Sequence, residues 1–549
     1  MIEYGVVFHK FDRFPAHSIF FFFIDHQRSN YPMMELEEGN ELLSSGKKTP
    51  SKESIIDQCI DNSDLSKTFW IAISLAMGNA ADAVEIMCVG FIMSEMSDLS
   101  STDKELLSSA VFMGMLFGGI FGGYISDSLG RKRVLLWCLL LNALAGFLSA
   151  FSPNIATLIV FRVIAGLGIG GSVPIVFSLG AELFPSATRG YYLSIIASFW
   201  MVGAIFVAFS AWIMLGEGFD GKRMMPGVTW RPFAVVSCIP AVVAWILTYY
   251  RIPESPRYLL TYHQDEEIVK ILNSLSTVQI TLQEFQIDSP VIRSASRENN
   301  NSTHSQEQNL HLHHHENNLF TTISLLFGEQ FFRSTVTLLI IWFTLSFGSY
   351  GISTWISILF SDVGIGNAYA ASLIYALANL PGNIVSLLFI DTIGRRWLLS
   401  IGMCLAGISI LGFALDTKDA IVVVLFASLF NAFGVMGWNS LDCLSAEVFP
   451  TVARSSAMGL LAASGRLGAV AGQFVNGSLE KNIPLLLFVT CICSFVGGIV
   501  AWALPKDPAG TSLGKDIDRR VSIELERCES TSGSITSNPL QAGSTHSNY

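Results

Sequence analysis

Charge is what this chain has least of. Only 14% of its residues are Asp, Glu, Lys or Arg, and 51% are hydrophobic, whereas an ordinary soluble domain carries about 25% charged residues. A water-soluble globular protein is thereby excluded. No secretory signal is expected: the run Ser18 to Ile24 is apolar but too short to cross about 30 Å of hydrocarbon, and it lacks a small-residue cleavage site. It reads as a tail segment. The nine cysteines fall in apolar runs or tails without disulfide or metal spacing, as buried small hydrophobes do. His311, His313, His314 and His315 have no cysteine or carboxylate frame beside them, so they read as a polar tract and not a metal site. A net charge of -11 argues against nucleic acid as a partner. No nucleophile–base pair, metal set or phosphate cradle appears, so neither an enzyme nor a bound cofactor is expected.

What is present is a series of long apolar runs. Twelve segments have the length of membrane-spanning helices, near 69–93, 106–126, 134–151, 155–177, 191–212, 231–250, 334–360, 367–390, 397–415, 420–444, 456–479 and 483–504. The expected organisation is an N-terminal tail (1–68), a six-helix half (69–251), a central loop (252–332), a second six-helix half (333–505) and a C-terminal tail (506–549). Within the central loop, Ser294 to Asn318 is too polar to bury a core and is expected to be disordered. Arg131, Lys132, Arg133, Arg189, Arg395, Arg396 and Arg454 fall on one side of the membrane, and Glu95, Asp98, Asp103, Glu105, Glu217, Asp362 and Asp419 on the other. Basic residues stay cytoplasmic, which places both tails and the central loop there.

Two motifs return at nearly the same offset. Gly123-x-x-x-Asp127-x-x-Gly130-Arg131 reappears as Asp391-x-x-Gly394-Arg395, and Glu182-Leu-Phe-Pro-x-x-x-Arg189 reappears as Glu447-Val-Phe-Pro-x-x-x-Arg454. Two unrelated motifs at one offset mean a duplicated unit, and paired halves of this kind hold a solute near the midplane between them. Each Asp-x-x-Gly-Arg turn can bridge helix ends, and the Glu and Arg of the second motif can add salt bridges across the halves. Together these residues are expected to gate the cytoplasmic side.

Among the charges inside spans are Asp82 and Glu85 in the first and Arg162 in the fourth. Each costs about 2.5–3.5 kcal/mol in hydrocarbon, so each marks a functional site by default. Asp82 and Glu85 share a helix face. A carboxylate facing Arg162 is expected to exchange protons, Asp82 first and Glu85 as its rival, with a permanent structural pair as the plainer reading. Gly166, Gly168, Gly170 and Gly171 are read as close helix packing. Trp438, Asn439 and Asp442 share a face of the tenth span. With Trp200 and Tyr350 they can form an aromatic box with an acid, suited to a small organic solute.

These strings resemble the major facilitator superfamily over residues 69–505. Arg162-x-x-x-Gly-x-Gly-x-Gly-Gly, Pro253-Glu254-Ser255-Pro256-Arg257 and Glu447-Val-Phe-Pro are similar to sugar porters, whose proton-coupled members set a first-span Asp against the fourth-span Arg. Asp82 and Arg162 match those places. Ala81-Asp82-Ala83-Val84-Glu85, Phe199-Trp200-Met201, Trp342-Phe343-Thr344 and Trp438-Asn439-Ser440-Leu441-Asp442 resemble the synaptic vesicle glycoprotein and organic-ion transporter branch. There the matching tryptophans and acid line the central cavity. Departures are also visible. Only about Ser361 to Gly366 separates the seventh and eighth spans, where vesicle glycoproteins insert a lumenal domain. Ser128 and Thr392 replace basic residues, Leu387 replaces a glycine, and the seventh-span polar residues of hexose porters are missing.

The resulting expectation is an all-α membrane protein of twelve helices in two pseudo-symmetric bundles. Its expected function is proton-coupled transport of a small organic ion or zwitterion by alternating access, as a monomer in the lipid bilayer of the plasma membrane or an endosomal or vesicular membrane. A sugar porter or uniporter, and a non-transporting vesicle regulator, are the alternatives. Glu38-x-x-x-Leu42-Leu43 looks like an acidic dileucine sorting signal.

Overall fold

The computed structural model describes residues 52–286 and 325–504, apart from 97, 219–220, 329, 416–418 and 450, and without the side chains of 391, 451–453 and 455. The Phe-rich run, the dileucine string, the histidine tract, residues 1–51 and residues 505–549 lie outside the described residues.

A short helix, α1 (Lys52–Asp61), precedes the first crossing, α2 (Leu65–Glu95). Then follow α3 (Ser101–Leu129), α4 (Arg131–Ser149), α5 (Ile155–Leu183) and α6 (Arg189–Leu215). The sixth crossing is broken into α7 (Trp230–Ser237) and α8 (Ile239–Arg251). Of the central segment, α9 (Pro256–Thr261), α10 (Asp265–Leu275) and α11 (Leu282–Gln286) are helical. The second half begins with α12 (Phe332–Asp362) and continues with a broken crossing, α13 (Ala368–Leu377) and α14 (Asn379–Ile393). It ends with α15 (Arg395–Leu415), α16 (Ala420–Val448), α17 (Thr451–Leu479) and α18 (Ile483–Val500). Pro240 and Pro381 stand just inside the second pieces; a proline lacks the N–H that a continuous helix needs and crowds the turn before it.

Eleven crossings among the described residues are long and apolar enough for a membrane. The twelfth expected span, 456–479, lies inside α17, which is 29 residues long and so about 43 Å. It falls short on composition alone, because glycines, serines, Arg466, Gln473 and Asn476 dilute its apolar residues. Those polar residues turn inward: Gln473 and Asn476 are buried and bond to α12, Asn476 Nδ2 to the Gly351 carbonyl at 2.9 Å and Trp355 Nε1 to Gln473 Oε1 at 2.8 Å.

In the first half, a glycine ridge draws α3 against α5. A Cβ on Gly114, Gly118, Gly166 or Gly170 would stand 2.2 Å from a carbonyl oxygen of the facing helix. The glycines after Arg162 are packing residues, as their spacing suggests. Gly130 and Gly394 sit at φ of +99° and +91°, a conformation glycine adopts readily, so both Asp-x-x-Gly-Arg turns share one geometry.

The helices α1, α9, α10 and α11 cap the basic end of the first half. Ile56, Ile60, Ile268, Leu272 and Phe285 join one apolar cluster with the spans. Lys52 pairs with Asp265 at 2.7 Å and Arg257 with Asp57 at 2.8 Å.

Replacing Gly118 with Leu should prevent α3 from meeting α5 and lower stability by about 3 kcal/mol or more. Gly123→Ala, which has nothing within 4 Å of the added carbon, should leave thermal unfolding in detergent nearly unchanged. Equal loss in both variants would contradict the glycine-ridge packing.

Candidate functional site

Arg162 is 1% exposed and Glu85 2%, and they form an ion pair at 2.5 Å. The guanidinium also donates to Cys88 Sγ at 3.2 Å and to the Ser149 hydroxyl. Gly146 permits this fit, since a Cβ there would come within 3.0 Å of both Glu85 Oε2 and Cys238 Sγ. The pairing corrects the expectation that Arg162 faces Asp82. Asp82, 0% exposed, is one helical turn away and is met by neutral donors instead: Ser172 Oγ at 2.8 Å and Asn142 Nδ2 at 3.3 Å. The two acids share a helix face, yet α5 presents Arg162 to one and Ser172 to the other.

The aromatic residues expected to form a box do converge. Tyr350 on α12 lies 6.2 Å from Trp200 on α6 and 5.8 Å from Trp438 on α16, ring centre to ring centre. Trp342 stands edge-on to Trp438 at 5.5 Å, and Phe112 on α3 is 5.2 Å from Tyr350. The cluster therefore straddles both halves. Asn439 Nδ2 donates to Asn383 Oδ1 on α14 at 3.0 Å. Asp442 is six residues from the end of α16, about 9 Å inside it, and is exposed.

Arg466 on α17 belongs to this group and was missed in the sequence. Its guanidinium lies 5.7 Å from the Tyr350 ring centre and bonds weakly to the Tyr350 hydroxyl at 3.4 Å. The signal was there: a lone arginine in an expected span, the same feature that drew notice to Arg162. Asn383, Asn142 and Ser172 carry no motif and were not legible.

At the basic face the two halves repeat each other. Arg131 pairs with Glu182, and Arg395 Nε lies 3.1 Å from Glu447 Oε2. Asp127, largely exposed, is 3.8 Å from Arg131. Ser255 also donates to Glu182. These contacts stay within one half, and the glutamates meet the arginines of the glycine turns. Arg454 donates to the Phe449 carbonyl at 3.4 Å. The side chain of Asp391 is outside the described residues. A Cβ on Gly123 would meet nothing within 4 Å, and Tyr124 is 80% exposed.

At the opposite face the halves are tied together. Lys104 on α3 pairs with Glu480, which also accepts from Ser101 at 3.2 Å. Tyr369 donates to Glu95 at 2.7 Å, and Asn367 to the Glu217 carbonyl at 2.6 Å. Gly90 on α2 approaches α12 so closely that a Cβ would lie 2.0 Å from the Thr354 oxygen. These contacts hold the two halves against each other at the opposite face.

Arg162→Met should destabilise the protein by about 3–5 kcal/mol, because it strands a buried carboxylate. Adding Glu85→Gln should recover most of that loss in thermal unfolding; no recovery would mean that the two side chains do not act as a pair.

Comparison with known proteins agrees with this architecture. Residues 55–509 match the model of the family described as sugar (and other) transporter. Synaptic vesicle glycoprotein 2C of Mus musculus is 27% identical, over 82% of this chain and 80% of its own. Synaptic vesicle glycoprotein 2A of Homo sapiens is 24% identical, over 83% and 79%. Among solved structures, the inward-open xylose transporter of E. coli superposes with a TM-score of 0.61 at 18% identity, over 81% of this chain and 98% of that one. A D-xylose-proton symporter gives 0.61 at 20%, over 80% and 98%. The chain is a multi-pass membrane transporter of the major facilitator superfamily and belongs to the sugar (and other) transporter family.

Proposed function

We propose that the protein is a proton-coupled transporter of a small zwitterionic organic solute. The observation that carries this reading is the aromatic cluster of Trp200, Tyr350 and Trp438, with the base Arg466 over Tyr350 and the acid Asp442 one turn beyond Trp438 on α16. Tryptophan and tyrosine faces attract an organic cation. Asp442 supplies the counter-charge for it, and Arg466 can take a carboxylate in fork geometry. A solute carrying both charges satisfies both side chains, whereas a neutral sugar leaves them facing each other. Asn439 and Asn383 add hydrogen-bonding groups.

The solute enters from the basic face, which the excess of Lys and Arg assigns to the cytoplasm. Binding draws α6, α12 and α16 together around it. The halves then rock so that the ties at Lys104–Glu480 and Glu95–Tyr369 open while the basic face closes. Asp82 is the proposed proton carrier. Its oxygens are held by neutral donors, so it can gain or lose a proton without breaking an ion pair. Glu85 remains committed to Arg162 and acts as a fixed element of the bundle.

A sugar substrate is the second reading, favoured by the family and by the xylose transporters among its structural neighbours. A regulatory membrane role is suggested by the vesicle glycoprotein relatives. Uptake into proteoliposomes separates the three. Zwitterionic amines should accumulate under a pH gradient and labelled xylose should not. Asp442→Asn and Arg466→Gln should each weaken apparent affinity about 10- to 100-fold, the range of a lost charge-assisted bond. Saturable xylose uptake without zwitterion uptake would establish the sugar reading, and no uptake of either would favour the regulatory one.

Asp82→Asn should abolish accumulation against a gradient and preserve solute exchange. Full pH-driven accumulation by Asp82→Asn would rule out Asp82 as the carrier.

A further inference from the structure

The break in the sixth crossing opens a second site, away from the solute path. Between α4 and the junction of α7 and α8 lies a cavity of about 460 Å³. Leu144 and Phe147 form one wall, Ile239, Val243 and Trp245 the other, and Cys238 lies at the base. Leu144, Phe147, Ile239 and Val243 are exposed, and α4 and α8 pack against helices of their own half. In a bilayer this side meets lipid, not the other bundle.

The wall at the basic end is aromatic, with positive charge beside it. Trp245 stacks on Tyr249 with ring centres 5.9 Å apart and planes at 17°, and Tyr250 follows, exposed. Aromatic rings of this kind settle at the headgroup level. Lys132 Nζ donates to the Tyr249 carbonyl at 3.2 Å, which brings the ammonium to the same mouth, and Arg133 beside it is exposed. The nearby acid, Glu254, is turned to backbone donors, accepting from the amides of Lys132 and Ser255 at 2.9 and 3.0 Å. Twelve residues of helix separate Lys132 from Leu144, about 18 Å, close to half of a hydrocarbon core of about 30 Å plus its interface.

We propose that this groove holds an acyl chain of an anionic phospholipid whose headgroup rests on Lys132 and Arg133. The depth suits a lipid of the leaflet at the basic face, and basic side chains near an anionic surface favour such lipids. The bound chain also has a mechanical role. Cys238 lines the groove and its sulfur also lies beside Gly146, against which Glu85 packs, so a filled groove supports the wall behind the Arg162–Glu85 pair. The site is independent of which solute the central cavity carries.

Purified full-length protein in detergent, titrated with phosphatidylserine or phosphatidylcholine and read by native mass spectrometry, tests the site. Phosphatidylserine should bind at least about tenfold more tightly. Lys132→Gln with Arg133→Gln should weaken it about thirty-fold, the effect of two basic groups. Val243→Trp fills the groove with the charges intact and should weaken it about tenfold, as should Leu144→Trp, an exposed position on the other wall. Arg251→Gln is the control, because that guanidinium lies over Trp70 on the α2 flank, 5.4 Å from the ring centre, and it should change binding less than about threefold. Equal affinity for the two lipids, full binding by both groove-filled variants, or an equal loss in Arg251→Gln would each overturn the proposal.

Discussion

The buried pair of Arg162 and Glu85 is the constraint around which the first half is built. Neither charge can sit in hydrocarbon alone, and a pair removed from water gains little unless its remaining donors are also met. Ser149 and Cys88 take guanidinium donors, and Gly146 leaves room for the carboxylate. The close approach of α3 to α5 through facing glycines keeps α5, and with it Arg162, in register. One turn away, Asp82 sits in the same dry interior with only neutral donors. The bundle therefore contains one acid paired with an arginine and one that accepts hydrogen bonds from neutral side chains.

Duplication explains the outer frame, while function lies where the copies diverge. The turns at Gly130 and Gly394 adopt the same backbone geometry, and Arg131–Glu182 is mirrored by Arg395–Glu447. Each pair ties a turn to the end of a span within its own half. Each half can then move as a rigid body at the basic face. Inside, the first half carries the buried charges, and the second carries Tyr350, Trp438, Asn383, Asn439, Asp442 and Arg466. The two bundles meet where Trp200 and Phe112 reach Tyr350.

Much of this was legible in the sequence, because hydrocarbon imposes strong rules. Apolar runs, lone charges and recurring turns identified the spans, the repeat, Arg162 with its two candidate acids, and the aromatic cluster. Partner choice was not legible: Asp82 and Glu85 present the same face, and only the depth at which α5 crosses decides which one meets Arg162. The ties within each half at the basic face were equally hidden, since Arg189 lies close to Glu182 in sequence while its partner Arg131 comes from the far end of another helix. Asn383 and the polar side of α17 were hidden for another reason. Single amides are common in membrane helices, and only packing reveals which of them reach a shared cavity.

Alternating access is most directly tested by locking the face that is closed here. With Lys104→Cys and Glu480→Cys, an oxidised crosslink should hold the opposite face shut. Solute should still bind from the basic face, uptake into proteoliposomes should stop, and reduction should restore it. Undiminished uptake through the crosslinked protein would contradict alternating access through this site.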